Sequence, residues 1–135
     1  MEEKIIWTNG CFDVLHRGHI ELFRYAKSLG GELHIGIDSD YKVNKDKGID
    51  SPVFSEDDRR YMVNAIRYVD NTYIFDSTYE LEQLIKRLNP DIMVIGSDWK
   101  GKKVIGQEYA KELKFFNRIA RYSTTKILEW TKNQK

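Results

Sequence analysis

Short apolar runs alternate along this chain with segments whose apolar residues recur at helical spacing, and that order leaves few folds open to it. Parallel strands need a crossover long enough to return the chain, and a helix is the usual one, so strand and helix in alternation predict an α/β domain. The strands expected are Lys4–Asn9, Glu32–Asp38, Thr72–Phe75, Asp91–Gly96 and Lys114–Ala120. Between the first two, Gly18–Leu29 carries Ile20, Leu22, Phe23 and Ala26 on one stripe, with Gly30 and Gly31 as the stop. A second helix starts at Ser55, where a capping hydroxyl precedes Glu56, Asp57 and Asp58, and runs to about Tyr68. A third follows the capping box Ser77-Thr78-Tyr79-Glu80 and ends at Asn89-Pro90. The stretch Tyr41–Pro52 has charge, Gly48 and Pro52 but no apolar period, and reads as a long mobile loop. The expectation is one Rossmann-like domain over residues 1–135, its mainly parallel five-stranded sheet flanked by helices.

Charge and cysteine content narrow the classes of function. With 22 basic and 21 acidic residues the net charge is +1, which lacks the basic footprint of a nucleic-acid binder. Cys11 is the one cysteine, so no internal disulfide forms and a reducing compartment suits the chain. The start MEEKIIW is unlike a secretory signal, and no run approaches the roughly 18 apolar residues of a membrane span. A cytoplasmic protein without a membrane span is expected. Cys11 itself reads as a packed small residue before a nucleophile.

The first strand runs into Gly10-Cys11-Phe12-Asp13-Val14-Leu15-His16-Arg17-Gly18-His19, after which the first helix begins. At the carboxyl end of a strand and the amino end of the next helix, a ligand meets unpaired N–H groups and the positive end of a dipole. His16 and His19 stand three apart there, which puts both imidazoles on one side of a helical first turn. Gly10 and Gly18 remove side chains where a phosphate needs the backbone. Zinc is the competing chemistry for paired histidines, but no cysteine or third histidine with ligand spacing accompanies them, and no metal site is assigned. His34 falls inside a strand.

TNGCFDVLHRGH resembles the signature of the cytidylyltransferase-like nucleotidylyltransferase family, and the likeness extends over essentially the whole chain. Further matches are Lys45-Asp46-Lys47-Gly48, Arg59 in EDDRRYMVNAIRYVD, Gly96-Ser97-Asp98-Trp99, and Ser123-Thr124-Thr125-Lys126 at a last helix start. The resemblance implies transfer of a nucleoside monophosphate from an NTP to a small phosphorylated acceptor, with release of pyrophosphate. It implies that His16 and His19 stabilise the transferring α-phosphate, with Lys45, Lys47 and Arg118 as further catalytic groups. Nucleotide contacts are expected from Asn9, Gly10, Cys11, Phe12, Asp13 and Gly18, from Gly96, Asp98 and Trp99, and from Ser123, Thr124 and Thr125. Asp38 and Arg59 are expected to bind the acceptor. Mg²⁺ is expected to arrive with the NTP, its ligands supplied mostly by phosphates. Relatives of this kind are commonly homodimers, and Phe115 and Phe116 suit either an interface or a core strand.

Two branches of the family compete. TNGCFD, the SD after the second strand, KG before SPV, and VIGQE resemble adenylyltransferases acting on heptose 1-phosphate. IRYVD, SDWKGK and Arg118, five residues before Ser123, resemble glycerol-3-phosphate cytidylyltransferases. Arg118 tips the reading to CTP and glycerol 3-phosphate, although Arg121 stands where that branch usually has glycine. A rival of another class is a nucleotide-binding regulatory module without turnover, against which intact His16, His19, Lys45 and Arg59 argue. A fragment of an aminoacyl-tRNA synthetase is disfavoured by the chain's size and small net charge.

Overall fold

The computed structural model describes residues 3–117 and 123–133. Strands β1 (Lys4–Gly10), β2 (Gly31–Asp38), β3 (Asn71–Phe75), β4 (Ile92–Gly96) and β5 (Glu112–Phe116) form one parallel sheet in the order β3-β2-β1-β4-β5. Helices α1 (Arg17–Ser28), α2 (Asp40–Lys47), α3 (Glu56–Asn64), α4 (Thr78–Leu88) and α5 (Thr124–Asn133) complete the α/β architecture.

Strand alternation divides the core into two layers. On one face Ile6, Leu33, Ile35, Ile37 and Val94 pack against Phe23 and Ala26 of α1 and Val63 of α3. On the other, Trp7, Phe75, Met93 and Ile95 pack against Leu81 and Ile85 of α4. Gly36 is required here, because a Cβ would stand 2.6 Å from the buried Trp7 indole. From β1 the chain moves outward through β2 to β3, and then crosses to β4 and β5 on the other side. This reversal opens a crevice between the carboxyl ends of β1 and β4, where parallel sheets bind ligands.

Three expectations are corrected. Much of Tyr41–Pro52 is helix, not loop: Ser39 caps α2 by accepting from the Lys42 N–H at 3.1 Å, Val43 is buried, and Gly48 ends the helix at φ 106. One buried residue gives no visible apolar period, so the sequence masks this helix. Helix α3 stops at Asn64 instead of Tyr68, since the next residues turn to deliver Ile66, Tyr68 and Val69 to the core. Strand β5 begins at Glu112, two residues after Ala110 and before the expected Lys114, while Ala120 lies outside the described residues. Phe115 and Phe116 pack on opposite faces within the chain. No described helix is long and apolar enough to cross a membrane.

Candidate active site

A cleft of about 650 Å³ opens at the crevice and gathers most of the residues singled out from the sequence. Asn9, Gly10, Cys11, Phe12, Asp13, His16, Gly18 and His19 line it from β1 and the turn into α1. Asp38 and Lys47 line it from the end of β2 and from α2, Gly96, Asp98 and Trp99 from the end of β4, and Ser123, Thr124 and Thr125 from the start of α5. A volume of this size suits a nucleotide-sized ligand.

The histidine pair is fixed by backbone. His16 caps α1, and its Nδ1 accepts from the Gly18 N–H at 3.0 Å; His19 Nδ1 accepts from the His16 N–H at 3.2 Å. An amide can only donate, so both Nδ1 atoms are unprotonated and each neutral ring carries its proton on Nε2. The rings lie with centroids 4.0 Å apart, and both residues line the cleft. Phe12, at φ 53, and Val14, at φ 52, are non-glycine residues in the left-handed region, a strain that the surrounding packing must hold. Phe12 does so as a core side chain, meeting Phe23 edge-on at 5.2 Å and His19 at 5.6 Å, so its ring buttresses His19 before it serves a nucleotide.

The amino ends of α1, α4 and α5 all border the cleft. The first turns of α1 and α5 contain no acidic residue, whereas α2, α3 and α4 begin with Asp40, with Glu56, Asp57 and Asp58, and with Glu80. The dipoles of α1 and α5 are thus left for an external anion. Ser123 caps α5 by accepting from the Lys126 N–H at 3.0 Å, and Thr124 Oγ1 donates to the Asp13 carbonyl at 2.7 Å. That bond joins residues 111 apart and holds the two amino ends together. Thr124 accordingly offers a ligand its backbone before its hydroxyl.

Several expected roles change. Arg59 does not line the cleft: its side chain is 1% exposed. Its guanidinium donates to the carbonyls of Phe54 (3.0 Å), Cys11 (2.8 Å) and Asp38 (2.7 Å) and pairs with Asp40 at 2.9 Å. These bonds tie the β1–α1 turn, the end of β2 and the approach to α3 together, so its side chain stands behind the cleft wall. Asp13, expected among the nucleotide contacts, lines the cleft with both carboxylate oxygens engaged, accepting from the Val53 and Phe54 N–H groups at 2.7 and 3.0 Å. Lys45 is exposed and off the cleft, while Lys47 lines it. Two residues apart in a loop can reach one ligand, but in a helix they face opposite ways. Trp99, 44% exposed, lines the cleft and is no core aromatic. Arg118 and Arg121 lie outside the described residues. Burial pushes the Cys11 thiol above its ordinary pKa despite nearby Lys47 and Arg59, which fits a packed thiol and not a nucleophile.

The sequence reading missed Lys42 and Asp46, both of which line the cleft. The spacing Asp38-x-x-x-Lys42-x-x-x-Asp46 was the available signal, but it becomes one only when the segment is helical. Lys47→Ala should lower kcat/KM at least tenfold, about 1.4 kcal/mol, and Lys45→Ala less than twofold. Equal losses in a pyrophosphate-release assay would contradict the helical placement.

The chain is 43% identical over 129 residues to the bifunctional protein HldE of a Nitratiruptor species, covering 94% of this chain and 27% of that protein. It is 39% identical over 134 residues to the bifunctional protein HldE of Campylobacter concisus, covering 99% and 28%. The chain thus spans about a quarter of the length of these curated relatives. A crystal structure of the lipopolysaccharide core biosynthesis protein from Thermoplasma volcanium GSS1 shares the fold, with a TM-score of 0.70, 24% identity, and coverage of 86% of this chain and 96% of that one. The cytidylyltransferase-like family profile matches residues 7–133, which include the histidine turn and the start of α5, and the chain belongs to that family.

Proposed function

We propose that this protein is a nucleotidylyltransferase that transfers an adenylyl group from ATP to heptose 1-phosphate or a related sugar phosphate, releasing pyrophosphate. The observation that carries the reaction class is the pair of imidazoles lining the cleft whose Nδ1 atoms both accept from backbone amides, which fixes each ring and puts its proton on Nε2. An acceptor phosphate oxygen attacks the α-phosphorus, the α–β bridging bond breaks, and pyrophosphate leaves from the opposite side. Negative charge grows on the non-bridging α-oxygens as this happens, and donors already in place there lower the barrier. No covalent nucleophile is needed. The amino ends of α1 and α5 supply positive potential for the triphosphate, and Lys47, which lines the cleft, adds to it. Mg²⁺ enters with the ATP as part of that substrate.

The choice of substrates reverses the sequence reading, which favoured CTP and glycerol 3-phosphate. That preference rested on Arg118, whereas relatives named HldE align along nearly the whole chain and support the heptose branch. The features TNGCFD, KG before SPV and VIGQE support it too. The test is a matrix of ATP, CTP, UTP and GTP against heptose 1-phosphate, other sugar 1-phosphates and glycerol 3-phosphate, read by pyrophosphate release. ATP with a sugar 1-phosphate should give the highest kcat/KM. Better turnover of CTP with glycerol 3-phosphate would restore the other branch, and nucleotide binding without any pyrophosphate release would make the chain a regulatory module.

A further inference from the structure

The β2 side of the cleft carries a carboxylate that an anion-binding site should avoid. Asp38, at the end of β2, lines the cleft with its side chain 16% exposed, beside the cleft-lining Lys42 and Lys47 of α2. Burial raises its pKa from the ordinary carboxylate value, and a bare carboxylate there would repel both substrates. Lys42 offsets this cost. Its Nζ stands 2.7 Å from Asp46 Oδ2, 3.8 Å from Asp38 Oδ2 and 5.8 Å from the centre of the Phe75 ring, with the side chain also 16% exposed. An ammonium held on three sides is a fixed part of the wall, unlike a solvated surface lysine. Serving a phosphate alone would call for the cations without Asp38. A carboxylate is useful where the ligand brings hydroxyl donors.

We propose that Lys42 is a positioning residue for the acceptor, holding the Asp38 carboxylate in the cleft as the hydrogen-bond acceptor for hydroxyls of a polyhydroxylated phosphate. This rests on the nucleotidyl-transfer reading above and adds to it how the acceptor is chosen. The Gly96-Asp98-Trp99 wall and the start of α5 also line the cleft and are left to the nucleotide. The charged and titratable groups acting on Asp38 are Lys42, Asp46 and Lys47 of α2, Arg59 of α3, and Cys11 of the β1–α1 turn. Lys42 favours the charged form of Asp38, so its loss raises the Asp38 pKa further and moves the acidic limb of the acceptor kcat/KM profile to higher pH.

The test compares wild type, Lys42→Met, Lys42→Arg and Asp38→Asn, using ATP with heptose 1-phosphate and with its monodeoxy analogues. Lys42→Met should raise the acceptor KM about tenfold while kcat and the ATP KM stay within about threefold. Its acidic limb should shift upward, Lys42→Arg should restore most of the affinity, and both Lys42→Met and Asp38→Asn should lose discrimination against one of the deoxy acceptors. Pyrophosphate release by wild type with an unchanged acceptor KM in Lys42→Met overturns this proposal alone. So does a parallel rise in both KM values with no shift of the limb, which marks a structural ion pair. No release by wild type with any sugar phosphate overturns the reading of the reaction and this proposal with it.

Discussion

Replacing either His16 or His19 with asparagine should lower kcat by about 10² or more, close to 3 kcal/mol of transition-state stabilisation, with a much smaller change in ATP KM. Asparagine is the informative substitution because each histidine does two jobs. Nδ1 of His16 caps α1 and Nδ1 of His19 accepts from the His16 N–H, so alanine would remove structure together with chemistry. The asparagine Oδ1 occupies roughly the place of Nδ1 and keeps the acceptor, and asparagine is among the best cap residues. It places no N–H where Nε2 stands. The thermal midpoint should therefore stay near wild type while single-turnover rates collapse. Wild-type turnover in either variant would remove the histidines from the mechanism, and a loss of rate matched by unfolding would return them to a capping role.

Loss of the Arg59 side chain should be the most damaging single change to stability, about 3–5 kcal/mol for Arg59→Met in urea denaturation. The residue is fully enclosed, and its removal strands three carbonyl oxygens, of Cys11, Asp38 and Phe54, that it now satisfies. Against a total stability of about 5–15 kcal/mol for a domain, that is a large share. Arg59→Lys should recover only part, because one ammonium cannot reproduce a planar fork reaching three carbonyls and the Asp40 carboxylate. The carbonyls belong to the ends of β1 and β2 and to the approach to α3, so the variant should also loosen the cleft. A stability loss below about 1 kcal/mol, with a raised acceptor KM as the main defect, would reinstate direct acceptor binding by Arg59.

The sequence by itself determined the five strands to within a few residues, four of the five described helices and the histidine turn that lines the cleft. Buried parallel strands read as continuous apolar runs, caps and stops are local, and the His16–His19 turn needs only the strand before it and the helix after it. Tertiary structure decided what depended on a second segment. Helix α2 is held by Val43 and by its end contacts, and so shows no amphipathic period; reading it as a loop put Lys45 and Lys47 together and hid the line of Asp38, Lys42 and Asp46. Arg59 and Asp13 look like exposed ligands in a linear sequence. Their actual partners include groups 48 residues away at Cys11 and 40 at Val53. Whether a charged side chain faces a ligand or a carbonyl depends on which distant backbone the fold brings beside it, and spacing along the chain carries no record of that.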